Sequence, residues 1–341
     1  MIWLTLRQFR AQAIVAGAAL GALAIVLAVA GPHLASLYSN SGLADCHTGC
    51  GALASNFFDQ IKGTSSEIIF YFGIALSYVA PAIMGMFWGA PLITRELEAG
   101  TFRLAWNQSV PRARWVAVKL GLISAAAVAA AGLLSLMTSW WASPLYAAAS
   151  QAGSNSLSIN RLGPPLFGAT GIVPLSYAAF AFALGVTVGV LIRRTLPAMA
   201  ITVAAFAAIQ ILWPSFVRPH LVTPAHATQS LDTVSFNQIG DHDNGTLLLQ
   251  VGSVNGLPGD WITRSEPVNA AGLAITKVPS ACMSITSNFF VPCLAKNGVR
   301  LAVSYQPASR YWTLQLYETG IFIALALGLG GFCYWRVRRF A

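Results

Sequence analysis

PLITRELEAGTFRLAWNQSVPRARWVAVK, residues Pro91 to Lys119, is the one long polar interruption between apolar runs that carries dense charge of both signs. Its punctuation is that of short helices. Thr94 reads as an N-cap for a piece containing Arg95, Glu96 and Glu98, and Gly100 as the residue that ends it in the left-handed region. Thr101 to Trp106 forms a second short run, with Phe102, Leu104 and Trp106 around Arg103. Ser109, Pro111, Arg112 and Arg114 then supply the hydroxyl cap, early proline and basic collar of a new helix. A charged helical elbow at the ends of apolar spans is a handle for something outside the membrane.

The runs on either side of it set the class. Of the 341 residues 56% are hydrophobic and only 9% charged, a composition that belongs in a bilayer rather than in a soluble domain. Six apolar stretches, near 12–31, 67–92, 117–143, 166–191, 196–216 and 315–335, are each long enough to cross a hydrocarbon core as helix. The first follows Arg7 and Arg10 and ends near Ala28-Val29-Ala30, which resembles a signal peptide. Its apolar stretch is longer than a signal core, so an uncleaved span is expected.

Charge gives the orientation. The short connections at one side hold 12 of the 20 Lys and Arg residues, Arg95, Arg103, Arg193, Arg194 and Arg336 among them, and the other side holds the remainder in longer loops. The positive-inside rule then places both termini and the 91–116 elbow in the cytoplasm of a multi-pass plasma-membrane protein. The same asymmetry accounts for the net charge of +9, so a nucleic-acid partner is not needed; anionic membrane lipid is.

The chain divides into 1–216, with an amphipathic N-terminal stretch and five spans, a polar segment 217–313, and 314–341 with the sixth span and a basic end. Within 217–313, the stretches Thr246–Val251, Leu273–Val278 and Val299–Tyr305 read as short strands between turn signals. The expected fold is an α-helical integral membrane protein of six transmembrane helices, with an extracellular, partly β domain between helices 5 and 6. Cys46, Cys50, Cys282 and Cys293 fall on the extracellular side, where disulfides form. Four cysteines admit three pairings, of which the local pairs Cys46–Cys50 and Cys282–Cys293 are the simplest. Asp45-Cys46-His47 with Cys50 offers a weak alternative as a metal site, and no metal is assigned.

Gly17 and Gly21 form a small-xxx-small pair that would let a neighbouring helix approach closely, or else are ordinary membrane-helix glycine. Pro81 is expected to bend the second span and shape a cavity. Tyr71, Tyr78, Trp140, Trp141 and Glu318 are the candidates for a transport path, each of which also reads as a packing or interface residue.

Catalytic chemistry is missing. No nucleotide-binding G-x-x-x-x-G-K-[ST], no H-E-x-x-H and no G-x-S-x-G occurs, and no mid-membrane carboxylate cluster suggests a proton relay. A membrane chain with no energy source and a charged cytoplasmic elbow is most simply the membrane half of a two-part machine.

WGAPLITRELEAGTFRLAWNQSVPRARWVAVKL, Trp88 to Leu120, resembles the signature loop of actinobacterial ABC-2 type ABC transporter permeases. SYQPASRYWTLQLYETGIF, Ser304 to Phe322, is similar to the segment leading into their last span. The resemblance implies an ABCG-like arrangement in which two six-span units, a homodimer or a pair of close relatives, each dock on a separate ATPase subunit. That partner, in two copies, would bind ATP and Mg; this chain would have no cofactor and would not be an enzyme. The loop between spans 2 and 3 would be the coupling helix, which makes Arg95, Glu96, Glu98, Gly100, Thr101 and Arg103 the ATPase-facing residues. The expected function is export of an apolar or amphipathic substrate. The large 217–313 segment departs from simple permeases and supports the rival reading, a sensor or assembly protein whose extracellular domain binds a ligand or partner and signals inward without transport.

Overall fold

The structure is a computed structural model, and residues 2–47, 49–98, 112–151, 160–242, 246–254, 259–282 and 287–339 are described. Among the described residues, six helical runs are long and apolar enough to cross a membrane: Thr5–Asn40, Ser65–Glu96, Arg114–Trp141, Val173–Ile192, Thr195–His220 and Ala308–Arg338. With six crossings both termini lie at the same end of the bundle, together with the elbow. The opposite end carries the segment between spans 5 and 6.

The first helix, α1 (Ile2–Asn40), does not stop near residue 31, where the first apolar stretch ends, but passes through Pro32. Packing decides this. Leu34 is fully buried with Leu43 and with Phe57, Phe58 and Ile61 of α2 (Gly51–Ile61), an amphipathic helix in the connection between the first two apolar stretches. The Cys46–Cys50 disulfide closes the turn between the two. It also uses both thiols that a metal at this turn would need. The next helix, α3 (Ser65–Met84), follows its N-cap Thr64, and the Glu67 carboxylate in its first turn reaches back to accept the N–H of Gly63, the residue before the cap. Pro81 lies inside α3, and four residues later the helix widens into a π turn, Gly85–Gly89, before α4 (Pro91–Glu98).

Span 3 is α5 (Arg112–Trp141), followed by α6 (Ser143–Gln151) and the short α7 (Pro164–Phe167). The fourth span begins later than expected. It is α8 (Val173–Ile192), with Pro174 in its first turn, and residues 168–172 form a turn instead of helix. Gly171 makes that turn at φ +71°, where a side chain would also strike the Gln315 amide and the Tyr311 hydroxyl. Of the span windows, α8 is 72% buried and no other exceeds 33%, so α8 is the central strut. It packs against spans 2, 3, 5 and 6 and against α4. Arg193, at φ 57°, ends α8 with its N–H on the Gly189 carbonyl, and α9 (Thr195–Leu212) turns straight back.

Between spans 5 and 6, β5 (Arg300–Gln306) is the centre of a three-stranded antiparallel sheet flanked by β1 (Ala225–Ser230) and β4 (Trp261–Val268). A separate hairpin pairs β2 (Val234–His242) with β3 (Thr246–Val254). Leu301 and Val303, two apart on β5, point into a core with Leu231, Val254, Val278 and Leu294. The expected strand at 273–278 is corrected: it makes only isolated bridging contact, such as Ala274 opposite Val268, and its chain is held by Val278 in the core instead. The Cys282–Cys293 disulfide joins this region to α10 (Ser287–Lys296). The sixth span is α11 (Tyr311–Arg338).

Candidate functional site

The elbow is seated on the bundle by two means, backbone proximity and charge. Gly85 and Gly89 on the π turn face Gly185 and Gly189 on α8, two Gly-xxx-Gly pairs in contact. A Cβ at Gly85 would lie 2.6 Å from the Ala181 carbonyl oxygen, one at Gly89 2.6 Å from that of Phe182, and one at Gly189 2.6 Å from that of Ala90. The two helices therefore meet backbone to backbone, which only glycine permits. Gly17 and Gly21, by contrast, face nothing within 4 Å. Thr94 is not the N-cap that its position suggested. It is fully buried in the middle of α4 and its hydroxyl donates back to the Ala90 carbonyl at 2.6 Å. No cap is needed, because the preceding π turn runs into α4 without a break, with Ala90 N–H on the Gly85 carbonyl.

The charged residues of α4 divide. Glu96 forms an ion pair with Lys119 of α5, a lysine whose ammonium also lies 4.6 Å from the Trp115 ring centre. Glu98 accepts both the backbone N–H and the hydroxyl of Thr195, the first residue of α9. These two bonds, assisted by the nearby Arg194, hold the Glu98 carboxyl below the usual range. Both carboxylates are thus braces to spans 3 and 5. Arg95 is exposed, on the wall of a cleft of about 250 Å³ between α4 and the N-terminal turns of α1, where Gln12 donates to the Phe87 carbonyl. Gly100, Thr101 and Arg103 lie outside the described residues.

At the other end of α8 lies a buried charge cluster. Arg218, at the end of the fifth span, donates from Nε to Glu318 Oε2 at 2.8 Å and from Nη2 to Oε1 at 3.0 Å, and neither side chain is exposed. The Tyr177 hydroxyl of α8 donates to the same carboxylate, Arg218 Nη1 reaches the Pro164 carbonyl at 3.2 Å, and the guanidinium lies over the Phe167 ring. One helical turn before Glu318, the buried Gln315 accepts the N–H groups of Ile172 and Val173 and donates to the Phe167 and Thr170 carbonyls. It caps the N-terminus of α8 from a neighbouring span.

Of the five path candidates, the structure brings together two. Tyr78 donates to the Pro164 carbonyl at 3.0 Å, the same oxygen that Arg218 reaches, and Glu318 is the centre of the cluster. Tyr71 and Trp140 are exposed on the outside of the bundle, and Trp141 is buried in a different cluster with Leu27 and Phe70. Sequence reading missed Arg218, Tyr177 and Gln315. The available signal was Glu318 itself: a lone carboxylate in an apolar helix demands a buried cation, and Arg218, just past the end of the fifth span on that side, was one of the few arginines able to supply it.

No curated protein and no solved structure matches this chain. Residues 17–218 match the family model described as ABC-2 membrane transporter related, which takes in the first five spans and the elbow and ends at Arg218. That is more than half of the 341 residues, and the chain belongs to the ABC-2 membrane transporter related family, the transmembrane permeases of ABC transporters.

Proposed function

We propose that this permease exports an apolar or amphipathic substrate, driven by a separate ATPase subunit, which binds ATP and Mg, that docks on α4. The observation that carries the reading is the seating of α4. Glycine contacts join it to the central span, Glu96–Lys119 joins it to span 3 and Glu98–Thr195 to span 5, so a push on α4 moves three spans together. The count of positive charge favours a cytoplasmic α4 and termini, with 217–313 outside, and two such chains would form the complete membrane unit.

In this arrangement Arg95, with Gly100, Thr101 and Arg103, forms the face offered to the ATPase, while Glu96 and Glu98 hold that face in place. The test is co-purification with candidate ATPase subunits, alongside efflux from reconstituted vesicles. Arg95→Glu is expected to lose the complex. The charge swap Glu96→Lys with Lys119→Glu is expected to restore the coupling that Glu96→Lys alone removes. A complex unaffected by Arg95→Glu, or a swap no better than the single variant, overturns the assignment. Ligand-stimulated hydrolysis without flux would show the sensor reading to be the right one.

A further inference from the structure

Where the third span ends, opposite the elbow, lies a cleft of about 460 Å³, larger than the one beside α4 and lined by the end of α5, by α6, by residues 160–162, by Gly259 and Ala308 and by the first turn of α11. Its volume is that of a small-molecule site. Arg161 stands in it, exposed, with its guanidinium 4.4 Å from the ring centre of Tyr311 and 5.2 Å from that of Tyr146. Both rings are held: Tyr311 shares a hydrogen bond with the Thr170 hydroxyl, and Tyr146 packs against Phe70. The neighbouring Asn160 fixes the backbone, donating to the Asp260 carbonyl at 2.7 Å and accepting the Leu162 N–H. Among the described residues Arg161 has no carboxylate partner; the Asp260 carboxylate is engaged by the Ala308 N–H. The buried hydroxyl of Ser139, in the same wall, has no hydrogen-bond partner among the described residues.

A cation positioned by two aromatic faces and, among the described residues, without a carboxylate partner, beside a hydroxyl likewise without one and between apolar walls, fits one chemistry. We propose that this cleft binds an anionic amphipath, with a phosphate or carboxylate head on Arg161 and Ser139 and an apolar tail along Ala147 and Ala308. The guanidinium fork pairs with either head in a bidentate manner. The exposed Trp140 at the end of the same helix places the cleft at the membrane boundary, where such molecules concentrate. That the bound molecule is cargo rests on the permease reading; that it binds does not.

The test is calorimetric titration of the full chain in neutral maltoside micelles, blank-corrected against empty micelles, with decyl phosphate, decyltrimethylammonium and inorganic phosphate as probes. Decyl phosphate is expected to bind saturably, once per chain. Arg161→Gln should weaken it by about tenfold or more, Arg161→Lys by less, and Ser139→Ala by about threefold, the worth of one charge-assisted and one ordinary hydrogen bond. Decyltrimethylammonium should not compete. Equal affinity for Arg161→Gln, or competition by the cationic probe, overturns the proposal. Inorganic phosphate binding as tightly as decyl phosphate would also overturn it, by showing a site for a free anion. Competition by phosphatidate in nanodiscs, set against phosphatidylcholine, separates a lipid from a soluble amphipath as the natural source. No ATPase is present, so failure here leaves the docking of α4 untouched, and failure of docking leaves this binding standing.

Discussion

Removing one partner of the Arg218–Glu318 pair is expected to be far more damaging than removing both. In Glu318→Ala, Arg218 loses both carboxylate bonds and keeps the Pro164 carbonyl and the Tyr177 hydroxyl, inside a site where neither side chain is exposed to water. In Arg218→Met, the carboxylate keeps only the Tyr177 hydroxyl among the described side chains. Breaking a buried pair from one side costs about 3–5 kcal/mol, because the surviving charge has nowhere to go. The double variant Arg218→Met, Glu318→Leu fills similar volume with apolar atoms and leaves the Tyr177 hydroxyl as the main orphan, at about 1–3 kcal/mol. Independent sites would sum to about 6–10 kcal/mol, so the expected coupling is several kcal/mol. Equilibrium unfolding of the four proteins in mixed micelles, titrated with dodecyl sulfate and followed by circular dichroism, measures it. Additivity within about 0.5 kcal/mol would refute the reasoning, and so would single variants that cost less than about 1 kcal/mol.

The helix crossing gives a second expectation. Gly185→Ala places a methyl group against the Gly85 carbonyl and 2.9 Å from the Ala90 nitrogen, and should cost about 1–3 kcal/mol in the same unfolding assay, whereas Gly320→Ala, with open space around it, should be neutral or slightly stabilising. Opening the Cys282–Cys293 bridge by Cys→Ser at both positions should destabilise the segment between spans 5 and 6 by about 2–3 kcal/mol, seen as faster limited proteolysis there with the spans left intact. The Glu98 contact with Thr195 should depend on pH. Its carboxyl is held below the ordinary value, so the contact is complete above the usual carboxylate range and is lost as pH falls through the lowered value. Amide exchange at the start of α9, compared with Glu98→Gln, checks the direction.

What could be read from the sequence follows from the range of the interaction involved. Apolar length alone marks six spans, because a bilayer demands about 20 apolar residues whatever they pack against. The local pairings Cys46–Cys50 and Cys282–Cys293 are likewise short-range, and the structure contains both. Thr94 shows the limit. Its type and position mimic a cap, but whether a helix starts there depends on the π turn upstream, and that turn exists because Gly85 and Gly89 meet α8 roughly a hundred residues away. Glu96 and Glu98 have the composition of a partner-facing surface. Only their neighbours in space, Lys119 and Thr195, make them braces. Arg218 was hidden by its place at a boundary, where an arginine ordinarily reaches water or lipid headgroups.

The two ends of α8 are held by different physics, and that difference decides where a motion can occur. At the elbow the glycines bring backbone against backbone, with little side chain between the helices to change rotamer, so α4 and the inner half of α8 move as one body. At the far end the contacts are polar and interchangeable. Arg218 already divides its donors between Glu318 and the Pro164 carbonyl, Tyr78 shares that carbonyl, and Gln315 has four partners on a turn containing Gly171. A polar cluster of this kind has more than one nearly satisfied arrangement, whereas a glycine crossing has one. Under the proposed reading, a displacement of α4 would therefore pass along α8 without loss and be taken up as an exchange of partners around Glu318. That places the moving joint beside Tyr311, which begins the same helix as Glu318 and forms one wall of the Arg161 cleft, so a change of partners at Glu318 would be felt where the anionic head is proposed to sit.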